Sequence, residues 1–216
     1  MWEGLALAVV IFDLDGTLID TVPLITRCFQ EVFQKYAGKT LSDEAVHAMF
    51  GPGESVIFSR EFKDRWQEVL QDYLARYTAG QSSLQVSPDI MALLNGLKNL
   101  QVTMAIVTNK ERDTTAITLD HFDLRGYFAQ IVTAQDIVHP KPSPEGINVV
   151  LQECGENSAD AVMIGDTDHD REAAMAGQVP FVRALWFVPA DARPAPGSEL
   201  SALSVADLKE ILPYEL

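Results

Sequence analysis

The chain has 216 residues, 47% of them hydrophobic, and a formal net charge of -15 at pH 7. A chain of this length can bury one substantial core with a second small unit beside it. The negative charge argues against nucleic acid or anionic lipid as a partner, because both require a positive patch. An anionic substrate would therefore need local cations, from a metal ion or from a few well-placed side chains.

The N-terminal residues and the cysteines indicate a cytoplasmic protein. Glu3 stands where a secretory signal carries positive charge, and the apolar run at residues 5–12 is too short to cross a bilayer. Cys28 and Cys154 lie far apart and form no CxxC-type pair, so they are interpreted as free thiols. We expect a monomer or homodimer in the cytoplasm that binds neither nucleic acid nor a membrane.

The first predicted element is the apolar strand at residues 5–12, which ends in a pair of carboxylates. Asp13 and Asp15 follow this run at once, and Gly16 and Thr17 come next. Neighbouring carboxylates repel and raise each other's pKa, so the pair is costly unless a cation or a shared proton lies between them. An Asp-Gly pair after a strand is also a common turn signal, so this segment alone does not establish a site.

The next segment contains no convincing strand and is predicted to be helical. We expect a first helix to begin near Asp20 and a longer helix to carry an aromatic stripe from Phe58 to Tyr77. The stripe is interpreted as core packing rather than as the lining of a substrate pocket. The predicted division is an α/β catalytic core and an inserted helical cap domain, at residues 1–19 with 83–216 and at 20–82, respectively.

Strands and helices alternate in the remainder of the chain. Four further apolar runs, at residues 102–107, 130–133, 161–164 and 181–188, each indicate a strand that is covered on both faces. Segments with helical spacing separate them. This alternation predicts an α/β fold with a doubly wound, mainly parallel, five-stranded Rossmann-like core.

Polar side chains follow the predicted strands at several points along the chain. In a doubly wound sheet the ligand crevice lies beyond the C-terminal ends of the strands. The segments are FDLDGT (12–17), VTN (107–109), KPSP (141–144) and GDTDHD (165–170), which supply Asp13, Asp15, Thr17, Thr108, Asn109, Lys141, Asp166 and Asp170. Each segment alone is consistent with a turn, a strand end or a helix cap, but their joint placement at one rim indicates a catalytic site.

Carboxylates and an ammonium group at one rim suit phosphoryl transfer. Asp13, Asp15 and Asp166 offer the hard oxygen ligands that Mg²⁺ takes. Once the phosphoryl charge is neutralised, a carboxylate such as Asp13 can attack phosphorus and form an aspartyl-phosphate. Asp15 can give a proton to the leaving alcohol and later take one from water. Lys141, with the donors at Thr108 and Asn109, would bind the phosphoryl oxygens.

Taken together and in this order, the four segments resemble the motifs of the haloacid dehalogenase superfamily. The resemblance covers nearly the whole chain and implies that Asp13 is the nucleophile and Asp15 the general acid/base. It implies that Thr108 and Lys141 hold the phosphoryl group, and that Asp13, Asp166 and the backbone carbonyl of Asp15 bind Mg²⁺. The helical insertion is similar to the C1-type cap of phosphatases such as phosphoglycolate phosphatase and the Bacillus-type pyrophosphatase.

The resemblance also assigns roles outside the main catalytic group. Asp170 matches the second acidic position of the last motif, and it is expected to orient Lys141 or a metal-bound water. Dehalogenases of the family lack an equivalent of Asp15, so its presence favours phosphate ester chemistry. The cap is expected to select the substrate through the loop at residues 51–55 or through a cation, and no role is expected for the histidines. The candidate cations are Arg27, Lys35 and Arg60, and the histidines are His47, His121, His139 and His169.

These observations lead us to expect a Mg²⁺-dependent phosphatase that acts on a small phosphorylated metabolite, and two related activities remain open. A mutase similar to β-phosphoglucomutase uses the same pair of Asp residues, and the motifs do not show whether water or a sugar hydroxyl accepts the phosphoryl group. Pyrophosphate is a further possible substrate. A phospho-accepting signalling module, similar to response-regulator receivers, is disfavoured because receivers are much shorter and lack the helical insertion.

Overall fold

A computed structural model describes residues 7–193 and 200–214 and contains a six-stranded sheet. The strands are β1 Val9–Phe12, β2 Thr103–Val107, β3 Gln130–Val132, β4 Ala161–Gly165, β5 Phe181–Ala184 and β6 Leu200–Ala202. They stand in the order β3-β2-β1-β4-β5-β6, and each neighbouring pair is parallel. The doubly wound α/β fold is therefore confirmed.

The sequence predicted five strands, and the sixth is a correction. Strand β6 pairs with β5 through Leu200, Ser201 and Ala202. It has only three residues, one of them polar, so it contains no apolar run that would distinguish it from a loop. The first two residues of the predicted run at 5–12 lie outside the described residues.

The helices cover both faces of this sheet. Those in the described residues are α1 Val22–Ala37, α2 Asp43–His47, α3 Glu54–Phe62, α4 Trp66–Gly80, α5 Pro88–Asn99, α6 Arg112–His121, α7 Glu145–Cys154, α8 Asp168–Ala176 and α9 Leu208–Ile211. Helices α5, α6 and α9 pack on one face, and α7 and α8 pack on the other. None of the described helices is long and apolar enough to cross a bilayer.

Strand β1 lies at the centre of the sheet and is fully buried. Val10 and Phe12 pack with the residues of α5, whereas Val9 and Ile11 pack with those of α7. Alternate side chains of a strand point to opposite faces, so all four residues of β1 are inside the core. The continuous apolar run before Asp13 follows from this burial on two faces.

Helices α1 to α4 pack around a separate hydrophobic cluster. Phe29 of α1 lies with its ring centroid 5.1 Å from that of Phe58 and 5.3 Å from that of Tyr73. Phe58, Tyr73 and Tyr77 are fully buried, which confirms the interpretation of the aromatic stripe as core packing. These helices fall within residues 20–82, and the boundaries of a cap domain there stay a prediction.

The longer helix predicted from Phe58 to Tyr77 is two helices. Helix α3 ends at Phe62, a 3₁₀ turn follows at Lys63–Arg65, and α4 begins at Trp66. Lys63 has a φ of 48°, which is incompatible with a continuous right-handed helix. The three residues of the turn are charged and unburied, so no apolar contact holds them in helical geometry. The apolar spacing continues in α4, and the periodicity alone therefore did not reveal the break.

Candidate active site

The ends of three adjacent strands form the floor of the site. Asp13 follows β1, and its backbone N–H donates to the carbonyl of Ile164 at 2.9 Å, which extends the pairing of β1 with β4. Thr108 follows β2, and Asp166 follows β4. Because the sheet is parallel, these residues meet at one rim, as the sequence predicted.

Lys141 joins two carboxylates at the centre of the site. Its Nζ lies 2.6 Å from Oδ1 of Asp13 and 2.5 Å from Oδ1 of Asp170, and all three side chains are buried. The other oxygen of Asp170 accepts hydrogen bonds from the backbone N–H and the hydroxyl of Thr167, at 3.0 and 2.6 Å, in a capping box at the start of α8. Asp170 is therefore fixed by its helix and lies against Lys141.

Three of the carboxylates form a cluster that suits a divalent cation. Asp13, Asp166 and Asp170 each offer an oxygen, and these atoms lie within 4.8 Å of one another. Burial raises the pKa of Asp13 to about 7, against the opposing effect of Lys141, and the charges of Asp170 and Asp15 add to the rise. Burial and the charge of Asp13 also raise the pKa of Asp166. A cation bound here would offset this cost, and hard oxygen ligands are those that Mg²⁺ prefers.

Gly16 allows the first loop to approach Asp166 closely. Its φ is +80°, and a Cβ at this position would lie 2.5 Å from Oδ2 of Asp166. The next residue, Thr17, donates its hydroxyl to Oδ1 of Asp166 at 3.2 Å. The Asp-Gly-Thr sequence after β1 therefore places the first loop against the acidic loop that follows β4.

We expect Gly16→Ala to lower both stability and activity. The left-handed backbone strains a non-glycine residue, and the new methyl group would push Asp166 out of the cluster. The cost should be about 1–3 kcal/mol of unfolding free energy, measured by urea denaturation. Gly126→Ala is the matched control, because a Cβ there meets no atom within 4 Å. An unchanged midpoint for Gly16→Ala would contradict the close approach.

The carboxylate of Asp15 lies outside the acidic cluster of Asp13, Asp166 and Asp170, and that it ligates a metal stays a prediction. Its oxygens accept from Lys110 Nζ at 3.1 and 3.2 Å, and Oδ1 also accepts from the Thr21 hydroxyl at 2.5 Å. The carboxylate therefore has its own cation and does not share one with Asp13. Ligation by the backbone carbonyl of Asp15 stays a prediction.

Lys110 is a site residue that the sequence reasoning missed. Its side chain is 1% exposed, and Nζ lies 4.5 Å from the ring centroid of Tyr77 in α4. Burial is the largest single effect and acts to lower the pKa of Lys110, but the charges of Asp15 and Glu54 and the interactions with Tyr77 together outweigh it, so the net shift is upward. The available signal was its position directly after the VTN segment, at the same strand end as Thr108. Thr21, also missed, lies directly before α1.

The side chain of Asn109 contacts the backbone of Lys141, and phosphate binding by Asn109 stays a prediction. Its Nδ2 donates to the backbone carbonyl of Lys141 at 2.8 Å, and its Oδ1 accepts from the Lys141 backbone N–H at 2.9 Å. Asn109 therefore holds the loop that carries Lys141. The Thr108 hydroxyl oxygen accepts from the backbone N–H of Lys110 at 3.2 Å, so its hydrogen can be donated to a phosphoryl oxygen.

A cavity of about 330 Å³ lies between this rim and helices α1 and α3. Its floor includes Asp13, Asp15, Thr108, Lys110, Lys141 and Asp166, and its wall includes Val22, Ile25, Phe29, His47, Phe50, Glu54 and Ile57. The loop at residues 51–55 contributes Gly51, Pro52 and Glu54 to the wall, and selection of the substrate by this loop stays a prediction. His47 and His169, for which no role was expected, also line the cavity, whereas the candidate cations Arg27, Lys35 and Arg60 do not.

The central strand of this doubly wound sheet leads into Asp13, a carboxylate that is paired with Lys141 and lies beside an acidic cluster. This arrangement defines a class of α/β enzyme whose catalytic carboxylates follow the ends of strands. The chain belongs to the haloacid dehalogenase-like hydrolase family, whose sequence profile matches residues 10–184. The match covers most of the chain and confirms the resemblance carried by the four motifs. The chain is accordingly a hydrolase.

Curated relatives cover most of the chain. It is 34% identical over 182 residues to pyrophosphatase PpaX of Bacillus pumilus, an alignment that covers 83% of each chain. It is 28% identical over 214 residues to phosphoglycolate phosphatase 1 of Pseudomonas aeruginosa, which covers 94% of this chain and 78% of that one. The structure of CbbY from Rhodobacter sphaeroides in complex with phosphate has the same fold, with a TM-score of 0.80 at 19% identity over 94% of this chain and 96% of that one.

Proposed function

We propose that the chain is a Mg²⁺-dependent phosphatase that hydrolyses a small phosphorylated metabolite through an aspartyl-phosphate on Asp13. The observation that carries the proposal is the placement of Asp13. Its carboxylate is buried at the end of the central strand, lies 2.6 Å from Lys141 Nζ and lines the cavity. The names of the two curated relatives, a pyrophosphatase and a phosphoglycolate phosphatase, support phosphoryl chemistry.

In the first step an oxygen of Asp13 attacks phosphorus, and the bond from phosphorus to the leaving oxygen breaks. The Thr108 hydroxyl and Lys141 Nζ bind the phosphoryl oxygens, and Lys141 also holds the attacking carboxylate in place. Asp13, Asp166 and the carbonyl of Asp15 would hold Mg²⁺, which supplies charge neutralisation of the phosphoryl group.

Asp15 serves both steps as the acid and the base. It lines the cavity beside Asp13, and Thr21 and Lys110 fix the direction of its carboxyl group. When protonated, it gives a proton to the leaving oxygen, and it then takes one from the water that attacks the phosphorus of the aspartyl-phosphate. Water thus releases phosphate and restores Asp13.

Pyrophosphate is a second candidate substrate, favoured by the 34% identity to the Bacillus pumilus pyrophosphatase. The same two steps apply, with phosphate as the leaving group. A mutase would use the first step but return the phosphoryl group to a sugar hydroxyl. Stoichiometric release of free phosphate would remove the mutase, and isomer formation without release would support it.

The proposal is tested by phosphate release from a panel of phosphomonoesters and pyrophosphate, with and without EDTA. We expect chelation to lower the rate by at least about a hundredfold and added Mg²⁺ to restore it, because the buried phosphoryl charge loses its neutralisation. A rate that resists exhaustive chelation would refute the metal assignment.

Metal binding has a readout that does not depend on turnover. Mg²⁺ at about 100 times its dissociation constant should stabilise the chain by about 2.7 kcal/mol against unfolding. Asp166→Asn should remove this gain, whereas Asp64→Asn, an exposed Asp in the turn before α4, should keep it. An equal gain in the Asp166 variant would place the cation elsewhere.

A further inference from the structure

We propose that the cavity selects an uncharged leaving group that bears hydroxyls, such as a polyol or a single sugar, and that Glu54 excludes a second anion. The inference rests on the proposed phosphatase function and adds the chemical class of the substrate. It separates this chain from an enzyme for phosphoglycolate or pyrophosphate, both of which carry a second anionic group beside the phosphoryl group that is transferred.

The wall opposite the rim provides no ammonium or guanidinium group among the described residues that line it. Arg27 is exposed and donates to Ser83 at 3.4 Å, and Lys35 pairs with Asp72 at 3.1 Å on the outside of the helices. Both lysines on the floor already have carboxylate partners, Asp15 for Lys110 and Asp13 with Asp170 for Lys141. A second anion that reached this wall would therefore find no lysine or arginine there.

Glu54 instead contributes negative charge and an unused acceptor to the wall. It is the first residue of α3, is 7% exposed and lines the cavity. Its Oε1 accepts from the hydroxyls of Thr114 and Tyr73 at 3.0 and 3.4 Å, whereas Oε2 has no hydrogen-bond partner in the described part of the chain. A buried carboxylate oxygen without a donor is costly. A substrate hydroxyl admitted to Oε2 would satisfy it, and the charge of Glu54, which also acts on Lys110, would repel a substrate carboxylate or phosphate.

His47 also lines this wall. The Thr26 hydroxyl donates its single hydrogen to the carbonyl of Val22 at 2.8 Å, so its oxygen accepts from Nε2 of His47 at 3.0 Å. In the neutral form of the ring, this arrangement places the hydrogen on Nε2 and leaves Nδ1 as an acceptor. Hydrogen-bond acceptors in this wall favour a leaving group that carries hydrogen-bond donors.

The remainder of the wall is apolar and the cavity is small. Ile25, Phe29, Phe50 and Ile57 present carbon surfaces that suit the C–H faces of a polyol or sugar. A volume of about 330 Å³ is at the lower end for ligand pockets, which limits the leaving group to about one sugar ring. Apolar surface, acceptors and small size together define the proposed class.

The test compares two substrates that differ in one group. 2-Hydroxyethyl phosphate carries CH₂OH where 2-phosphoglycolate carries a carboxylate. We expect kcat/KM to be at least about tenfold higher for 2-hydroxyethyl phosphate, because like charges repel strongly in a partly desolvated cavity. Glu54→Gln keeps the shape and removes the charge, and it should raise kcat/KM for 2-phosphoglycolate about tenfold, while the value for the neutral substrate changes less.

Glu61→Gln is the matched control, because Glu61 belongs to the same helix but is exposed and does not line the cavity. Its carboxylate pairs with Lys39 at 3.2 Å. This variant should leave the ratio of kcat/KM values for the two substrates unchanged. A wild-type preference for 2-phosphoglycolate would overturn the inference. So would a folded Glu54→Gln variant whose ratio of kcat/KM values for the two substrates equals that of the wild type. If Glu54→Gln does not fold, the wild-type ratio still decides.

Failure of the proposed function would be seen separately, as no phosphate release from p-nitrophenyl phosphate in the presence of Mg²⁺. Binding of the two substrates to Asp13→Asn, measured by calorimetry, then decides the inference without turnover. Tighter binding of 2-hydroxyethyl phosphate supports it, and equal or tighter binding of 2-phosphoglycolate overturns it.

Discussion

Asp13→Asn is expected to lower phosphate release by about 10⁴-fold or more and to leave the chain folded. An amide cannot replace a carboxylate as the nucleophile, and a variant without its nucleophile retains only the contribution of binding and electrostatics. Stability should change little, because Lys141 keeps Asp170 as a partner at 2.5 Å and a neutral amide avoids the cost of burying the Asp13 charge, whose burial raises the pKa of Asp13 to about 7. Phosphate release and thermal melting in one buffer measure both effects.

Asp20→Asn is the matched control for this variant. Asp20 belongs to the same loop, but it is exposed and does not line the cavity, so its replacement should leave most of the activity. If Asp13→Asn retains more than about a tenth of the wild-type rate, another residue must be the nucleophile. Loss of the folded state in that variant would show that Asp13 serves the structure as well.

Lys141→Met is expected to reduce both activity and stability. The methionine has a similar length but leaves the buried carboxylates of Asp13 and Asp170 without their shared cation. Removing one partner of a buried ion pair costs about 3–5 kcal/mol, which urea unfolding without Mg²⁺ would measure. The rate should fall by about 10² to 10³, because the phosphoryl oxygens lose an oriented cation.

A double variant separates the charge of Lys141 from its packing. Lys141→Met with Asp170→Asn removes one of the two unpaired carboxylates, and we expect it to recover part of the lost stability but none of the activity. An equally unstable double variant would attribute the loss to packing. Unchanged stability in the single variant would show that Lys141 does not compensate these carboxylates.

The central strands and the site rim were predictable from sequence, because burial and topology determine both. Strands buried on two faces appear as continuous apolar runs, and parallel strands bring their carboxyl ends to one edge. Asp13, Thr108 and Asp166 are thus near one another whatever their side chains contact. Strand β6 was not predictable, since it has three residues and little apolar character.

The partners of individual side chains were not predictable from spacing. The pairing of Asp15 with Lys110 and the contact of Asn109 with the Lys141 backbone were not anticipated. Each choice depends on differences of a few ångström between alternative partners. Residue types and spacings along the chain do not contain that information. The position of a residue at the rim, by contrast, follows from the strand that precedes it.

The central position of β1 also determines when the chain can complete its fold. This strand is made first during synthesis, but its neighbours are β2 and β4, which begin at Thr103 and Ala161. Contacts between distant parts of a chain form slowly, and apolar strands that stay exposed in the meantime are prone to aggregation. The nascent chain must therefore keep Val9–Phe12 from aggregating until most of the sequence has emerged, and enzymatic activity can appear only after β4 has docked beside β1.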